Sequence, residues 1–391
     1  MTMVKTKQAC DATAIIGAAK RLVIKVGSSL LIRENKLDHA WLSALADDIA
    51  RLSARNAEIL VVSSGAVALG RGALGLTTGR RVLEESQAAA AAGQTLLVSG
   101  WRTAFEPHDL RVAQILLTPE DTEQRRRYLN ARRTIETLLN LNVIPVINEN
   151  DTVTTQELRY GDNDRLAARV AGMISAECLI LLSDTDGLYT SPPDAAEAGG
   201  KTQAEHIPHI DTITPEIAAM AGGSGSAVGA GGMVTKIEAA RIAMQAGCHM
   251  VLADGRGRAP LAALAKAARA TVFTAGETPR TARKNWIAGS LTPTGSLQID
   301  AGARAALENG KSLLPVGVAG CKGDFARGDC VVICAPDGAE VARGLVAWSA
   351  ADARNIIGKS GNEIVRLLGF GGRTEIVHRD DLVLNTKGDT L

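Results

Sequence analysis

Short apolar runs recur through the first two-thirds of the chain, and each is followed by a turn and a stretch with helical spacing. Apolar runs without alternation are typical of strands that are buried on both faces, as in a parallel sheet. The pattern therefore predicts an α/β fold, a mostly parallel open sheet with helices on both faces. The predicted strands are residues 22–27, 58–65, 113–118, 143–148, 178–184 and 249–255, and the predicted helices include 84–105, 126–141 and 233–247.

The pattern changes near residue 276. Residues 276–293 are polar and punctuated by proline and glycine, as a linker would be. Beyond them, short strands between Gly and Asp turns predict a small, mostly β domain with a barrel-like sheet. The predicted organisation is an N-terminal extension (1–19), an α/β domain (20–275), a linker (276–293), a β domain (294–372) and a C-terminal strand and tail (373–391).

Charge and composition exclude several classes of protein. With 43 Lys and Arg against 42 Asp and Glu, the net charge is +1, and only 3% of residues are aromatic. Such a chain is not built to coat nucleic acid or an anionic membrane, nor to stack bases. The Ala-rich stretch 86–101 contains Gln87, Gln94 and Ser99, so it predicts a buried helix and not a membrane span. The first 20 residues are too polar for a signal peptide.

The cysteines and histidines predict no disulfide and no metal site. None of the six cysteines forms a C-x-x-C pair, which favours reduced structural thiols in a cytoplasmic protein. His206 and His209 lie close together but have no third ligand nearby in the sequence, so we interpret them as part of a loop. No segment matches a Walker A loop. The G-x-G-x-x-G match at residues 70–75 lacks the strand–turn–helix context that dinucleotide binding requires.

Two lysines stand where a positive charge is unfavourable. Lys25 interrupts an apolar strand just before Gly27, and Lys236 follows a glycine-rich loop in the first turn of a predicted helix. A buried ammonium or a cation at a helix N-terminus is costly unless an anion lies beside it, and the free N–H groups there favour phosphate. The alternative for Lys25 is an ammonium that reaches solvent along the strand.

Two further loops follow predicted strands. One contains Ser64, for which an ordinary helix N-cap is the alternative. The other combines residues 148–151 with 161–164, which are rich in acids and amides, and a solvated loop is its alternative. With the two lysines, these loops indicate phosphoryl transfer, because ATP and an anionic acceptor repel each other unless the site supplies positive charge and orientation. An acidic residue between the lysines would keep them oriented.

The motifs KVGSS, SSGA, NENDTV, GDND, LLSDTDGLYT and GAGGMVTK occur in this order. In this combination the chain resembles the amino acid kinase superfamily, most closely the glutamate 5-kinases, and the segment after residue 293 resembles a PUA domain. The resemblance implies that Lys25, Lys236 and Asp164 are catalytic and that Ser64, Asp151 and Asn163 bind glutamate. It also implies the following ATP-binding residues: Lys25, Ser183, Asp184, Ala230, Gly231, Gly232, Met233, Val234, Thr235 and Lys236.

The resemblance also implies an activity, the ATP-dependent phosphorylation of the γ-carboxylate of L-glutamate, with Mg²⁺ on the ATP phosphates. This carboxylate has a pKa of about 4.3 and is already ionised at neutral pH, so no general base is needed. The family further implies feedback inhibition by proline, a separate reductase for the product, and a homo-oligomer (a dimer or tetramer). Ala230 and Val234 depart from the family pattern of Thr and Ser, so we expect backbone amides to bind phosphate there.

The alternative from another class is an RNA-binding protein that acts through its PUA-like domain. Residues 294–391 contain 11 Lys and Arg against 12 Asp and Glu, and their aromatic residues are Phe325, Trp348 and Phe370. The segment therefore lacks the basic footprint that RNA binding usually needs. Within the kinases, an aspartokinase would carry regulatory repeats and a uridylate kinase would end near residue 260, so both are disfavoured.

Overall fold

The structure is a computed structural model, and the residues it describes are 11–76, 82–154, 163–191, 204–221, 232–360, 363, 364, 366 and 374–385. The chain divides into two compact units, Met1–Pro279 and Arg280–Leu391. Each unit is considered by itself below, and the domain boundaries derived from the sequence stay predictions.

An eight-stranded sheet forms the centre of the N-terminal unit. Its strands lie in the order β10-β12-β11-β7-β1-β4-β6-β5. All neighbouring pairs are parallel except β11 and β12, which are antiparallel. The mostly parallel open sheet is thereby confirmed. The strands of this unit are β1 (Arg21–Val26), β2 (Ile32–Arg33), β3 (Lys36–Leu37), β4 (Glu58–Ser63), β5 (Arg111–Leu117), β6 (Val143–Glu149), β7 (Cys178–Ser183), β8 (Leu188–Tyr189), β9 (His206–Ile207), β10 (His209–Ile210), β11 (His249–Asp254) and β12 (Ala270–Phe273).

Helices cover both faces of this sheet, as β1 demonstrates. Leu22, Ile24 and Val26 belong to one apolar cluster, whereas Val23 belongs to the cluster on the opposite face. Because both faces are buried, the strand has no polar alternation. The helices are α1 (Ala12–Ala18), α2 (Ser28–Leu31), α3 (His39–Ser53), α4 (Ala66–Ala73), α5 (Leu83–Phe105), α6 (Pro119–Glu123), α7 (Arg125–Asn140), α8 (Asn163–Met173), α9 (Pro215–Met220), α10 (Met233–Gln245) and α11 (Pro260–Leu264), with a 3₁₀ turn at Glu106–His108. Within the described residues, we find no helix that is both long and apolar enough to cross a membrane.

Two glycines let α4 and α5 pack backbone against backbone. A Cβ at Gly70 would lie 1.7 Å from the Ala89 carbonyl oxygen, and one at Gly93 would lie 1.8 Å from the Ala66 carbonyl oxygen. No side chain fits at either position without moving a helix. The contact sets the position of the α5 turn that contains Gly93 and its neighbour Gln94.

Substitution of Gly93 by alanine should destabilise the N-terminal unit. The added methyl group must push α5 away from α4, and overpacking of this kind typically costs about 1–3 kcal/mol. Thermal or urea unfolding of Gly93→Ala measures the loss. Gly17→Ala is the matched control, because a Cβ at Gly17 in α1 meets nothing within 4 Å. A Gly93→Ala protein as stable as the Gly17→Ala protein would contradict the prediction.

The C-terminal unit contains a five-stranded mixed sheet in the order β14-β13-β15-β16-β17. The predicted mostly β character is confirmed, and β17 pairs with β16, so this last strand belongs to the same sheet. The strands are β13 (Gly295–Ile299), β14 (Val318–Gly323), β15 (Cys330–Cys334), β16 (Glu340–Val346) and β17 (Val377–Leu384), and the helices are α12 (Pro279–Ser290), α13 (Ala301–Glu308) and α14 (Ala350–Ile356), with a 3₁₀ turn at Pro315–Gly317.

Some elements differ from the expectations. The segment expected to be a linker contains α12, in which Ile287 is fully buried and packs with Cys330 and Leu345. Arg283 in the same helix donates to Asp381 over 2.5 Å, and both side chains are buried. The polar composition concealed this helix because one of its charged residues faces inward. The histidine segment expected to be a loop forms the two-residue strands β9 and β10. The five cysteines within the described residues are free thiols.

Candidate active site

Lys25 lies near the carboxyl end of β1, in the middle of the sheet. It pairs in register with Val62 of β4 on one side and Leu181 of β7 on the other. The residue is only 6% exposed. β1 ends one residue later, and Gly27 adds no side chain beside the lysine ammonium. The carboxyl edge of a parallel sheet is where α/β proteins bind ligands, and Lys25 lies at that edge.

Lys236 lies in the first turn of α10, which begins at Met233 after the N-cap residue Gly232. It is 5% exposed. No side chain caps the helix at Gly232, although the Thr235 hydroxyl donates to the Gly232 carbonyl over 2.7 Å. Backbone N–H groups at such a terminus, together with the helix dipole, favour an anion next to a lysine that the dipole alone would repel.

Asp164 brings the two lysines together. It is the second residue of α8 and is 1% exposed. Its Oδ1 lies 2.5 Å from Lys25 Nζ, and its Oδ2 lies 3.4 Å from Lys236 Nζ. Residues from β1, α8 and α10 thus form one buried charged cluster, which we call the lysine–aspartate cluster (Lys25, Asp164 and Lys236).

Two lysine ammonium groups share one carboxylate in this cluster. Burial raises the pKa of Asp164, but the two lysine ammonium groups outweigh burial and hold that pKa below its ordinary value of 3.8. The carboxylate is therefore ionised at neutral pH. Buried ammonium groups are stabilised by anions, so the cluster is suited to binding a further anionic group.

The lowered pKa predicts how acid acts on the fold. Because the folded pKa of Asp164 lies below the unfolded one, the ionised carboxylate adds stability above pH 3.8, and this stability is lost as the pH falls through the folded pKa. Urea unfolding between pH 7 and pH 3 should show a steeper loss in the wild type than in Asp164→Asn. Equal slopes in the two proteins would contradict the prediction.

A second network surrounds Asn163, the first residue of α8. Its Nδ2 shares two hydrogens among three acceptors, the Ser63 carbonyl oxygen at 3.1 Å, Ser64 Oγ at 2.9 Å and Asn148 Oδ1 at 2.7 Å. Asn148 lies near the end of β6 and Ser64 follows β4, so three neighbouring segments meet here. Gly65, with φ of 107°, then turns the chain into α4.

The other predicted residues have varied positions. Asp151 lies in the turn after β6 and is partly buried. Ser183 ends β7 and donates to Asp184 over 3.0 Å, and Asp184 is exposed. Met233 and Thr235 are partly buried, and Val234 is 44% exposed. Ala230 and Gly231 lie outside the described residues.

Two residues near the site were not predicted to belong to it. The sequence pattern places Asn148 in an acid-rich loop without a role, and it indicates only that Gln94 is a polar residue of a buried helix. Asn148 Nδ2 donates to Gln94 Oε1 over 2.9 Å. The sequence signal for Gln94 is a glutamine within an Ala-rich apolar helix. A buried amide needs a hydrogen-bond partner, so such a glutamine is expected to contact another polar group. No group of three or more His, Cys, Asp or Glu within the described residues could hold a metal ion.

Comparison with known proteins identifies the family. The model of the amino acid kinase family matches residues 20–254, which contain all of the residues described above for the candidate site. This chain belongs to the amino acid kinase family. The PUA domain model matches residues 295–368, in the C-terminal unit of this family member.

Similar proteins cover almost the whole of this amino acid kinase. A protein of Paramagnetospirillum magneticum named glutamate 5-kinase is 54% identical over 94% of the chain and 99% of its own length. Glutamate 5-kinase 1 of Rhizobium meliloti is 55% identical over 93% of the chain and 92% of its own length. The glutamate 5-kinase of Agrobacterium fabrum is 54% identical over 93% of the chain and 92% of its own length.

Proposed function

We propose that the chain transfers the γ-phosphoryl group of ATP to the γ-carboxylate of L-glutamate, which is the first step of proline biosynthesis. The observation that carries the proposal is the buried lysine–aspartate cluster at the carboxyl edge of the sheet, in which two lysine ammonium groups contact one carboxylate. Similarity to glutamate 5-kinases over nearly the full length identifies the acceptor.

The reaction requires positive charge to stabilise the transferring phosphoryl group, and it requires no general base. A γ-carboxylate oxygen of glutamate attacks the γ-phosphorus, and the bond from this phosphorus to the bridging oxygen of ADP breaks. The products are ADP and γ-glutamyl phosphate, and no proton is transferred because the carboxylate is already ionised. Lys25 and Lys236 would stabilise the charge on the transferring group, and Asp164 would keep both ammonium groups oriented.

Glutamate would bind on the side of Asn163. Ser64 Oγ accepts a hydrogen bond from Asn163, so the hydroxyl hydrogen of Ser64 is free to donate to a carboxylate oxygen. Asp151 and Asn163 Oδ1 would accept hydrogen bonds from the α-ammonium group. These three residues place the amino acid beside β4 and α8, next to Asp164.

The nucleotide would bind between the ends of β7 and α10. Ser183 and Asp184 follow β7, which neighbours β1 in the sheet. The phosphates would lie on the segment from Ala230 through Gly231 and Gly232 to Lys236, which includes Met233, Val234 and Thr235, and their contacts would be mainly to backbone N–H groups. We assign Mg²⁺ to the ATP phosphates as part of the substrate and assign no protein ligand to it.

Several finer features belong to the proposal. The acyl phosphate product is reactive, which favours a separate reductase that consumes it promptly. Feedback inhibition by proline and assembly into a homodimer or homotetramer are proposed from the family resemblance. A cytoplasmic location is proposed on the free thiols of the described cysteines.

Trapping of the product with hydroxylamine tests the function. The purified protein is incubated with ATP, Mg²⁺ and either L-glutamate, L-aspartate, N-acetyl-L-glutamate or UMP, and the release of ADP is measured in parallel. We expect ADP release and hydroxamate formation with L-glutamate. Turnover with another acceptor and none with L-glutamate would overturn the proposal.

A further inference from the structure

Gln94 connects the helix α5 to the glutamate side of the site. Its side chain is buried, 7% exposed, and its Oε1 accepts a hydrogen bond from Asn148 Nδ2. Its Nε2 is buried and has no hydrogen-bond partner among the residues that the structure describes. Within the described residues, Gln94 therefore acts only as a hydrogen-bond acceptor.

Hydrogen bonds to the backbone determine how the side-chain amides of Asn163 and Asn148 are oriented. Asn163 Nδ2 lies 3.1 Å from the Ser63 carbonyl oxygen, which can only accept. The neighbouring atom of Asn148 must therefore be its oxygen, and the backbone N–H of Glu149, which can only donate, meets the same oxygen at 2.9 Å. Asn148 then turns its nitrogen toward Gln94, where Oε1 accepts.

The connected side-chain amides of Gln94, Asn148 and Asn163 leave an acceptor, and not a donor, available to the substrate. Asn163 uses its Nδ2 on Ser63, Ser64 and Asn148, and its Oδ1 accepts no hydrogen bond from the described residues. An acceptor is the group that an α-ammonium requires. A reversed Asn148 would set its N–H groups against those of Glu149 and Asn163 and its oxygen against Gln94 Oε1, so all three contacts favour the same orientation.

We propose that Gln94 is a positioning residue for substrate recognition. Its carbonyl oxygen acts with the backbone groups of Glu149 and Ser63 to hold Asn148, and through Asn148 it holds Asn163 with an acceptor facing the α-amino group of the substrate. The inference rests on the proposed function, since it names the glutamate side of that site. Gln94 itself touches no reacting atom in this scheme.

Three variants separate this role from a purely structural one. Gln94→Met keeps the volume and removes the acceptor, Gln94→Glu keeps an acceptor oxygen, and Gln245→Met makes the same change at an exposed glutamine in the last turn of α10. KM and kcat are measured for L-glutamate and for ATP. The inhibition constant of glutarate, which lacks the α-amino group, is measured against L-glutamate, and thermal unfolding tests the fold of each protein.

Gln94→Met should raise KM for L-glutamate about tenfold or more, because a buried hydrogen bond and the acceptor for the ammonium are lost. KM for ATP and the inhibition constant of glutarate should change less than about threefold, and Gln94→Glu and Gln245→Met should resemble the wild type.

An unchanged KM for L-glutamate in a folded Gln94→Met protein overturns the proposal, as does an equal loss for glutarate. If Gln94→Met does not fold, Gln94→Glu decides: KM for L-glutamate near the wild-type value supports the proposal, and a tenfold rise overturns it. Turnover by the wild type is measured first, so that failure of the proposed function is seen separately.

Discussion

Replacement of Lys25 or Lys236 by methionine should reduce kcat by about two to three decades or more, the loss typical of removing one electrostatic stabiliser from a transition state. Methionine keeps the apolar stem of the buried side chain and removes only the ammonium. Each variant should fold, because Asp164 keeps its contact with the remaining lysine. The effect should fall on kcat more than on KM for L-glutamate, since the lysines act on the transferring phosphoryl group.

Hydroxylamine trapping and ADP release give the rates, and circular dichroism checks the fold. Lys36→Met is the matched control, since Lys36 is exposed in the short strand β3, outside the lysine–aspartate cluster. A Lys25→Met protein with more than about a tenth of the wild-type kcat would contradict the assignment of that lysine to the transferring group.

Replacement of Asp164 by asparagine should lower the free energy of unfolding by about 3–5 kcal/mol, the range seen when one partner of a buried ion pair is removed. The two lysines that contact Asp164 would remain buried without this carboxylate between them. Activity should also fall, since the ammonium groups lose the residue that orients them.

Nucleotide binding should reverse part of this destabilisation. The phosphates of MgATP would supply negative charge beside both lysines, so MgATP should raise the unfolding temperature of Asp164→Asn more than that of the wild type. Differential scanning fluorimetry with and without MgATP measures the two shifts. Asp121→Asn is a control at a partly exposed aspartate of α6, a residue that pairs with the exposed Arg127. Equal shifts in wild type and Asp164→Asn would contradict the charge argument.

The sequence predicted the central sheet well because the signal there is local. Strands such as β1 are buried on both faces, so their apolar runs need no tertiary information. The two-residue strands β9 and β10 are too short to carry a pattern. The helix α12 was missed because its polar composition includes Arg283, whose partner Asp381 is almost a hundred residues away.

The candidate site was predictable where a residue conflicts with its local surroundings. Lys25 in an apolar strand and Lys236 at a helix N-terminus are both unfavourable unless an anion compensates them. Gln94 could not be given a role in the same way, because the partner of a buried amide depends on how α5 packs. That packing is set by Gly70 and Gly93, whose significance appears only when the two helices are in contact.

Trp101 provides a built-in optical reporter for the glutamate side of the site. Its indole N–H donates to Ser63 Oγ at 3.0 Å, the ring is fully buried, and it stacks on Phe105 with centroids 5.6 Å apart. The Ser63 carbonyl in turn accepts from Asn163. The chain contains only four tryptophans, so replacing the other three by phenylalanine would leave one emitter beside the amide network. Amino acid binding could then be followed by fluorescence without a label and without turnover.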